Sequence, residues 1–421
     1  MKKRELFTRD FAILVAGQVL SLFGNAILRF ALSLYVLDVT GSAAVFGGIL
    51  AASMVPMVLF SPVGGILADR VRRQRMMVVL DYTTGGLLAG FALFLPQGQG
   101  VVPVAVLMLC LAAIQSFYQP SVQSSIPLLV GEAHLAQANG TVVQVNALAN
   151  LIGPIAGGFL YGFFGLWPIL LAGIACFLFS ATMELFLHIP FVRRPRTGGV
   201  LAGVRSDLGG AVRFLGREQR GVLALLAVVA GINLALGALL TVGLPYLVKI
   251  HLGLGSQLYG FVEGAMAVGS ILGGLLAGTA ARRWPLSQTG GFLLAAALCT
   301  VPLLGAVVTD RAPYASYAVI LGTVCVCMCC TTLFSVIGQT YIQQVTPTHM
   351  LGKVMSLVTM LCTCAYPLGQ ALYGGLFQAL QAHVWVVVLI GGACGLFLSL
   401  AASRVLARQA GPSASKGKAD A

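Results

Sequence analysis

Gly64-Gly65-Ile66-Leu67-Ala68-Asp69-Arg70-Val71-Arg72-Arg73-Gln74-Arg75-Met76-Met77-Val78-Val79 sets a run of positive charge between two apolar stretches, each long enough to cross a bilayer. This is the reading of a short basic loop joining two membrane helices. Working outward, apolar stretches of about 20 residues recur along the whole chain, separated by short polar or charged breaks. They fall at 11–37, 44–68, 77–95, 102–127, 139–164, 167–189, 222–248, 257–281, 289–308, 314–342, 350–378 and 384–406, here numbered spans one to twelve. The stretches are continuously apolar and do not alternate, so helices are expected and barrel strands are not.

Composition demands the same class. With 58% hydrophobic and 9% charged residues in 421, the chain has too little polar surface to coat a water-soluble globule. Its 25 Lys and Arg are unevenly placed. If the N-terminus is cytosolic, the inner segments hold the runs from Lys2 to Arg9, Arg70 to Arg75, Arg193 to Arg220, Arg282 with Arg283, Lys353, and Arg404 to Lys418. Only Lys249 and Arg311 fall outside, and Arg29 alone lies deep within a span, so both termini are expected in the cytosol. That bias, with contact to anionic headgroups, accounts for the net charge of +13 without nucleic acid. The basic start runs directly into a full-length span, so no cleavable signal is expected.

The two halves echo each other. Gly64-Gly65-Ile66-Leu67-Ala68-Asp69 is answered by Gly273-Gly274-Leu275-Leu276-Ala277-Gly278, and Gly153-Pro154 in span five by Tyr366-Pro367 in span eleven. A parallel repeat of two six-helix bundles follows, 1–189 and 222–406, with a linker at 190–221 and a tail at 407–421, both cytoplasmic. Leu208 to Leu215 would suit a short amphipathic helix on the membrane surface.

On these motifs the chain resembles the major facilitator superfamily across nearly its whole length. The superfamily's loop-two signature, Gly-x-Leu-Ala-Asp-Arg-x-Gly-Arg-Lys/Arg, is matched at Gly65, Leu67, Ala68, Asp69, Arg70 and Arg73, and departed from at Arg72 and Gln74. The Gly-Pro-x-x-Gly-Gly element of its exporter branch stands at Gly153, Pro154, Gly157 and Gly158. Gly17-Gln18, Ser21-Leu22-Phe23-Gly24 and Val39-Thr40-Gly41-Ser42-Ala43 are similar to the macrolide-efflux and siderophore-exporter branch of drug:proton antiporters. The resemblance implies an all-α membrane protein of twelve transmembrane helices in two six-helix bundles. Physically, Asp69 could meet the positive end of the span-eleven helix dipole, and the glycines allow close helix approach, while Pro154 permits a bend. Boundary charges and ordinary packing are the competing readings.

Polar stripes within spans suggest a pathway, because lipid exposure would cost kilocalories. Gln18, Ser21, Asn25 and Arg29 share one face of span one, and Asn139, Asn146, Asn150 and Gly157 one face of span five. Gln115, Gln119 and Gln123 mark span four, Thr332, Ser335 and Gln339 span ten, and Thr359, Thr363, Tyr366 and Gln370 span eleven. A central cavity is expected, with interhelical hydrogen bonding as the plainer alternative for any one residue. Phe23, Phe30, Phe117, Tyr118, Met266 and Phe334 would add adaptable apolar contacts.

Two ionisable residues lie deep, Arg29 in span one and Glu263 in span eight, the latter sharing a face with Tyr259 and Ser270. In the architecture that the resemblance implies, spans one, five and eight are neighbours. Glu263 is therefore expected as the protonatable coupling residue with Arg29 as its partner; a purely structural ion pair is the competing reading. Glu184 is expected near the cytosolic end of span six, snorkelling and paired with His188 at i, i+4. Asp81 is expected as counter-ion to the Arg72 to Arg75 cluster. Asp38 ends span one as an outer boundary charge.

The ten cysteines all fall in expected spans, and the i, i+2 spacing of Cys325 and Cys327 points their side chains apart, so no metal or cofactor is expected. Asn139-Gly140-Thr141 would lie on the cytosolic side and is not expected to be glycosylated. No Gly-x-x-x-x-Gly-Lys-Ser/Thr loop is present, so an ion gradient is the expected energy source. The expected function is non-enzymatic: proton-coupled efflux of an amphipathic small molecule by a monomer in a bacterial inner membrane. Its partners would be substrate, protons and membrane lipids, with no nucleic acid. Siderophore export, a lysophospholipid or metabolite permease, and a non-transporting sensor are the alternatives.

Overall fold

The computed structural model describes residues 8–94, 100–131, 134–190, 209–210, 212–217, 219–283, 289–309 and 312–410. Among these residues every regular element is helical, and twelve helical stretches are long and apolar enough to cross a bilayer. Spans one to six are Arg9–Thr40, Ala43–Arg70, Arg73–Phe94, Val101–Leu129, Leu135–Phe164 and Leu166–Leu185. Span seven begins as an α-helix over Arg220–Ile232 and continues through π-helical stretches at Asn233–Gly237, Leu239–Gly243 and Tyr246–His251. Spans eight to twelve are Ser256–Arg283, Gly290–Leu298 with Thr300–Val308, Pro313–Val345, Thr348–Ala379 and Val384–Ala410.

Local chemistry sets the ends. Thr8 caps span one by accepting from the Phe11 amide at 3.2 Å, and Gly41, at φ 57°, closes it by donating to the Leu37 carbonyl at 2.8 Å. Only glycine takes that left-handed turn without strain. Most of the linker and tail lie outside the described residues. Of the linker helix, residues 212–217 are helical, and Leu215 is buried with Val222, Leu226 and Val354.

The chain divides into two compact units. One comprises Met1–Gly41, Ile49–Val200 and Gly255–Gly260; the other comprises Ser42–Gly48, Leu201–Leu254 and Phe261–Ala421. In the first, Leu28, Leu32, Leu88, Met108, Leu170 and Phe177 form one apolar cluster, and Phe11, Leu14, Met77, Tyr118, Val122 and Ile126 form another. In the second, Leu225, Ile232, Leu236, Leu293, Phe334 and Leu406 pack together, next to a cluster of Val222, Leu226, Ile342, Val354 and Leu357.

Within lipid, helices associate by close packing and small residues, since the acyl chains are as apolar as leucine. The repeated glycines allow this in equivalent places. A Cβ on Gly64 of span two would strike the Ser116 carbonyl of span four, and one on Gly273 of span eight would strike the Cys329 carbonyl of span ten. Likewise Gly153 and Gly157 of span five lie against Ala26, Ile27 and Phe30 of span one, while Gly369 of span eleven lies against Leu234 and Ala238 of span seven. The echo between the halves is thus an echo of helix contacts.

Candidate functional site

Each unit places its polar residues differently. In the second unit a cavity of ≈ 490 Å³ opens among spans seven, nine, ten and eleven. Its walls carry Asn233, Thr331, Thr332, Ser335, Gln339, Thr363 and Tyr366 between apolar side chains such as Leu236, Met328, Phe334 and Met355. The span-ten stripe therefore lines it, as do Thr363 and Tyr366 of the span-eleven stripe. Thr359 has no described side chain, and Gln370 is buried.

Tyr366 is held at the cavity by its surroundings. Thr241 Oγ1 donates to the Gly237 carbonyl at 2.8 Å and lies 3.4 Å from the Tyr366 hydroxyl, and a Cβ on Gly237 would come within 3.0 Å of the tyrosine ring. The π-helical winding of span seven puts Asn233 and Gly237 at this wall. Gly237, Gly243 and Pro245 explain the winding: glycine loosens the α-helical ladder and proline removes one of its donors. Glu263, partly buried on span eight, lies within electrostatic reach of Tyr366.

In the first unit the stripe residues sit in differing surroundings. Gln18 is fully buried, and neither its Oε1 nor its Nε2 has a hydrogen-bond partner; Asn25, 8% exposed, leaves Oδ1 similarly placed. Gln115 and Gln119 are partly buried. Asn146 donates back to the Val142 carbonyl at 2.9 Å, and Asn150 is exposed. Tyr259 is buried and stacks on Phe30 with ring centroids 5.4 Å apart. Arg29 is partly buried in this unit, whereas Glu263 belongs to the other.

The exporter-type element packs as its residue types suggest. Besides Gly153 and Gly157, Gly158 lies where a Cβ would come within 2.8 Å of Gly260 Cα. Pro154 lies inside span five. Of the loop-two signature, the side chains of Gly65, Asp69 and Arg70 lie outside the described residues; Arg73 opens span three, partly buried.

Two expectations about acids are corrected. Asp81 does not face the basic loop: it is 2% exposed, and its Oδ2 accepts from the Ser21 hydroxyl at 2.6 Å. Glu184 does not snorkel to His188. It is wholly buried, and its Oε1 accepts from the Tyr118 hydroxyl at 2.7 Å, while the His188 ring is exposed and 3.9 Å from Asp10. Depth along a helix is readable from sequence, but its inward or outward azimuth is set by neighbouring helices. Ser180 Oγ, 2.8 Å from Ser21 Oγ and donating to the Gly17 carbonyl at 3.1 Å, completes the group. One signal could have found it: Ser180 and Glu184 are one turn apart on span six, and Ser21 already belongs to the polar stripe of span one.

The profile of the Major Facilitator Superfamily matches residues 14–370. The chain is 24% identical over 407 residues to Macrolide efflux protein A of Streptococcus pyogenes, covering 92% of this chain and 94% of that protein. To the enterobactin exporter EntS of Escherichia coli O1:K1 / APEC it is 26% identical over 332 residues, 75% of this chain and 72% of that protein. Among solved structures, the nucleoside transporter NupG superposes with a TM-score of 0.70 at 14% identity, covering 94% of this chain and 99% of that one. A mutant of the peptide transporter POT in complex with alafosfalin gives 0.70 at 14% identity, with 96% of each chain covered.

Proposed function

The chain belongs to the Major Facilitator Superfamily, and from that premise we propose that it is a secondary active exporter moving an amphipathic small molecule outward in exchange for protons. It is a multi-pass membrane transporter and not an enzyme. The observation that carries the finer reading is the cavity of ≈ 490 Å³ with a mainly apolar wall and a few convergent hydroxyl and amide groups. Such a lining suits a substrate with a large apolar body and scattered polar groups.

A macrolide-like drug is the first substrate class, supported by likeness to Macrolide efflux protein A along nearly the whole chain. Siderophore export is the second reading, favoured by the likeness to the enterobactin exporter. Glu263, near Tyr366, is the proposed coupling residue, so that substrate at the cavity wall and a proton on Glu263 oppose each other; Arg29 is the second coupling candidate. Asp69, Arg70, Arg73 and the glycine element of span five are proposed to govern the switch between access states. The skewed Lys and Arg distribution supports both termini in the cytosol of a bacterium, with the protein in its inner membrane.

Everted membrane vesicles given an acid interior test this reading. They should accumulate a labelled macrolide, and a protonophore should release it. Failure to accumulate a macrolide, a cationic dye or a catecholate siderophore under that gradient would overturn export.

A further inference from the structure

Beyond Glu263 and the cavity, the first unit encloses two carboxyl groups for which neither transport reading above has a use. Asp81 of span three and Glu184 of span six are 2% and 0% exposed, and Glu184 lies within electrostatic reach of Asp81. Their donors are few. The Ser21 hydroxyl has one proton, given to Asp81 Oδ2; the Tyr118 hydroxyl gives its proton to Glu184 Oε1; the Ser180 hydroxyl is within hydrogen-bond reach of Asp81, and its single proton is shared between that carboxyl and the Gly17 carbonyl. Glu184 Oε2 is buried with no hydrogen-bond partner at all.

No basic side chain among the described residues enters this group. The other titratable or charged side chains on the helices packed around it are engaged elsewhere or turned away. On span one, Asp10 is held at the His188 amide, and Asp38 accepts from Tyr161 of span five at 2.7 Å. On span three, Tyr82 is exposed and bonds Thr182, Arg75 is exposed, and Arg73 lies two turns nearer the basic loop. Arg29 lies two turns further along span one from Ser21. Cys110 of span four and Cys176 of span six lie two turns along their helices from Tyr118 and Glu184. Two full negative charges in this apolar setting, between the clusters around Leu28 and Phe11, would be repelled by each other and stripped of water with nothing to offset them.

We propose that Asp81 and Glu184 form a proton-binding site inside the first unit, holding one exchangeable proton between them. The proton sits on a carboxyl oxygen, with Glu184 Oε2 as the open position, and passes to and from water with no covalent bond changing but that O–H. Gly17 and Ser21 of span one, Asp81 of span three, Tyr118 of span four and Ser180 with Glu184 of span six meet here. Loss of the proton therefore alters the hydrogen bonding of four helices at once. Resting on the antiport reading, the site is a second point at which proton uptake biases the conformational equilibrium.

Infrared difference spectroscopy on the full chain in lipid, stepped from acid to alkaline pH in water and in deuterium oxide, tests the site directly. The wild type should show a protonated-carboxyl stretch that fades as pH rises and shifts in deuterium oxide, and Glu184→Gln or Asp81→Asn should remove or displace it. Tyr118→Phe, which keeps both carboxyls, should move the band and serves if either acid variant fails to fold. A band unchanged in all of these variants overturns the site, whatever the vesicles do. Conversely, a band that the variants remove in a protein without proton-driven flux upholds the site and condemns the antiport reading.

Discussion

The Tyr118 hydroxyl of span four donates to Glu184 Oε1 of span six at 2.7 Å, in a pocket of the first unit where both side chains are shut off from solvent. The tyrosine is thus bound at both ends, its ring among Phe11, Met77 and Val122 and its oxygen on a carboxyl group. Removing that oxygen with Tyr118→Phe leaves Glu184 with neither oxygen hydrogen bonded. The expected loss is about 1–3 kcal/mol of stability, measured by denaturant titration in mixed micelles; an unchanged midpoint would show that the bond carries no stability.

Glycines with the same residue type should respond with opposite signs. Gly158→Ala sets a Cβ 2.8 Å from Gly260 Cα, backbone against backbone, with no side chain able to yield. It should destabilise by about 1–3 kcal/mol. Gly140→Ala meets nothing within 4 Å and sits within a helix, so it should stabilise by up to about 1 kcal/mol. Thermal unfolding of the two variants in detergent separates them, and equal shifts would contradict the packing described.

Cys362 lines the second-unit cavity beside Thr363 and Tyr366. In a variant whose other cysteines are replaced by alanine, a maleimide should label Cys362, and a transported macrolide should slow the labelling. Thr363→Leu, which fills the same wall with apolar bulk and removes a hydroxyl, should weaken that protection. Labelling indifferent to every transported compound would move the substrate site elsewhere.

Proton coupling at Glu263 predicts that Glu263→Gln reaches the membrane in normal amounts yet exports nothing in response to a pH gradient. Size-exclusion profiles establish the fold and vesicle uptake the coupling. Undiminished gradient-driven uptake would exclude the residue from that role.

Topology is checked at two exposed positions. Arg72→Cys, between spans two and three, should react with an impermeant thiol reagent only from the cytosolic side, and Thr309→Cys, after span nine, only from the other. Reaction of both from one side would refute the assigned orientation.

What the sequence determined was everything that depends on one helix and its solvent. Twelve apolar stretches, their charged breaks and the paired glycine motifs specify membrane helices in a repeated arrangement, because lipid forces every backbone group to be satisfied within its own helix. Gln339, Thr363 and Tyr366 were legible as one-sided polar stripes for the same reason, and they line the cavity. What tertiary structure decided was azimuth: whether a polar side chain on a given turn meets lipid, water or another helix. Asp81 and Glu184 look from their spacing like boundary charges within reach of Arg75 and His188, yet they turn inward to Ser21 and Tyr118. Their partners lie 60 and 66 residues away in the chain, a distance that no helical period can encode. Only the packing of spans one, three, four and six brings two acids into one dry interior.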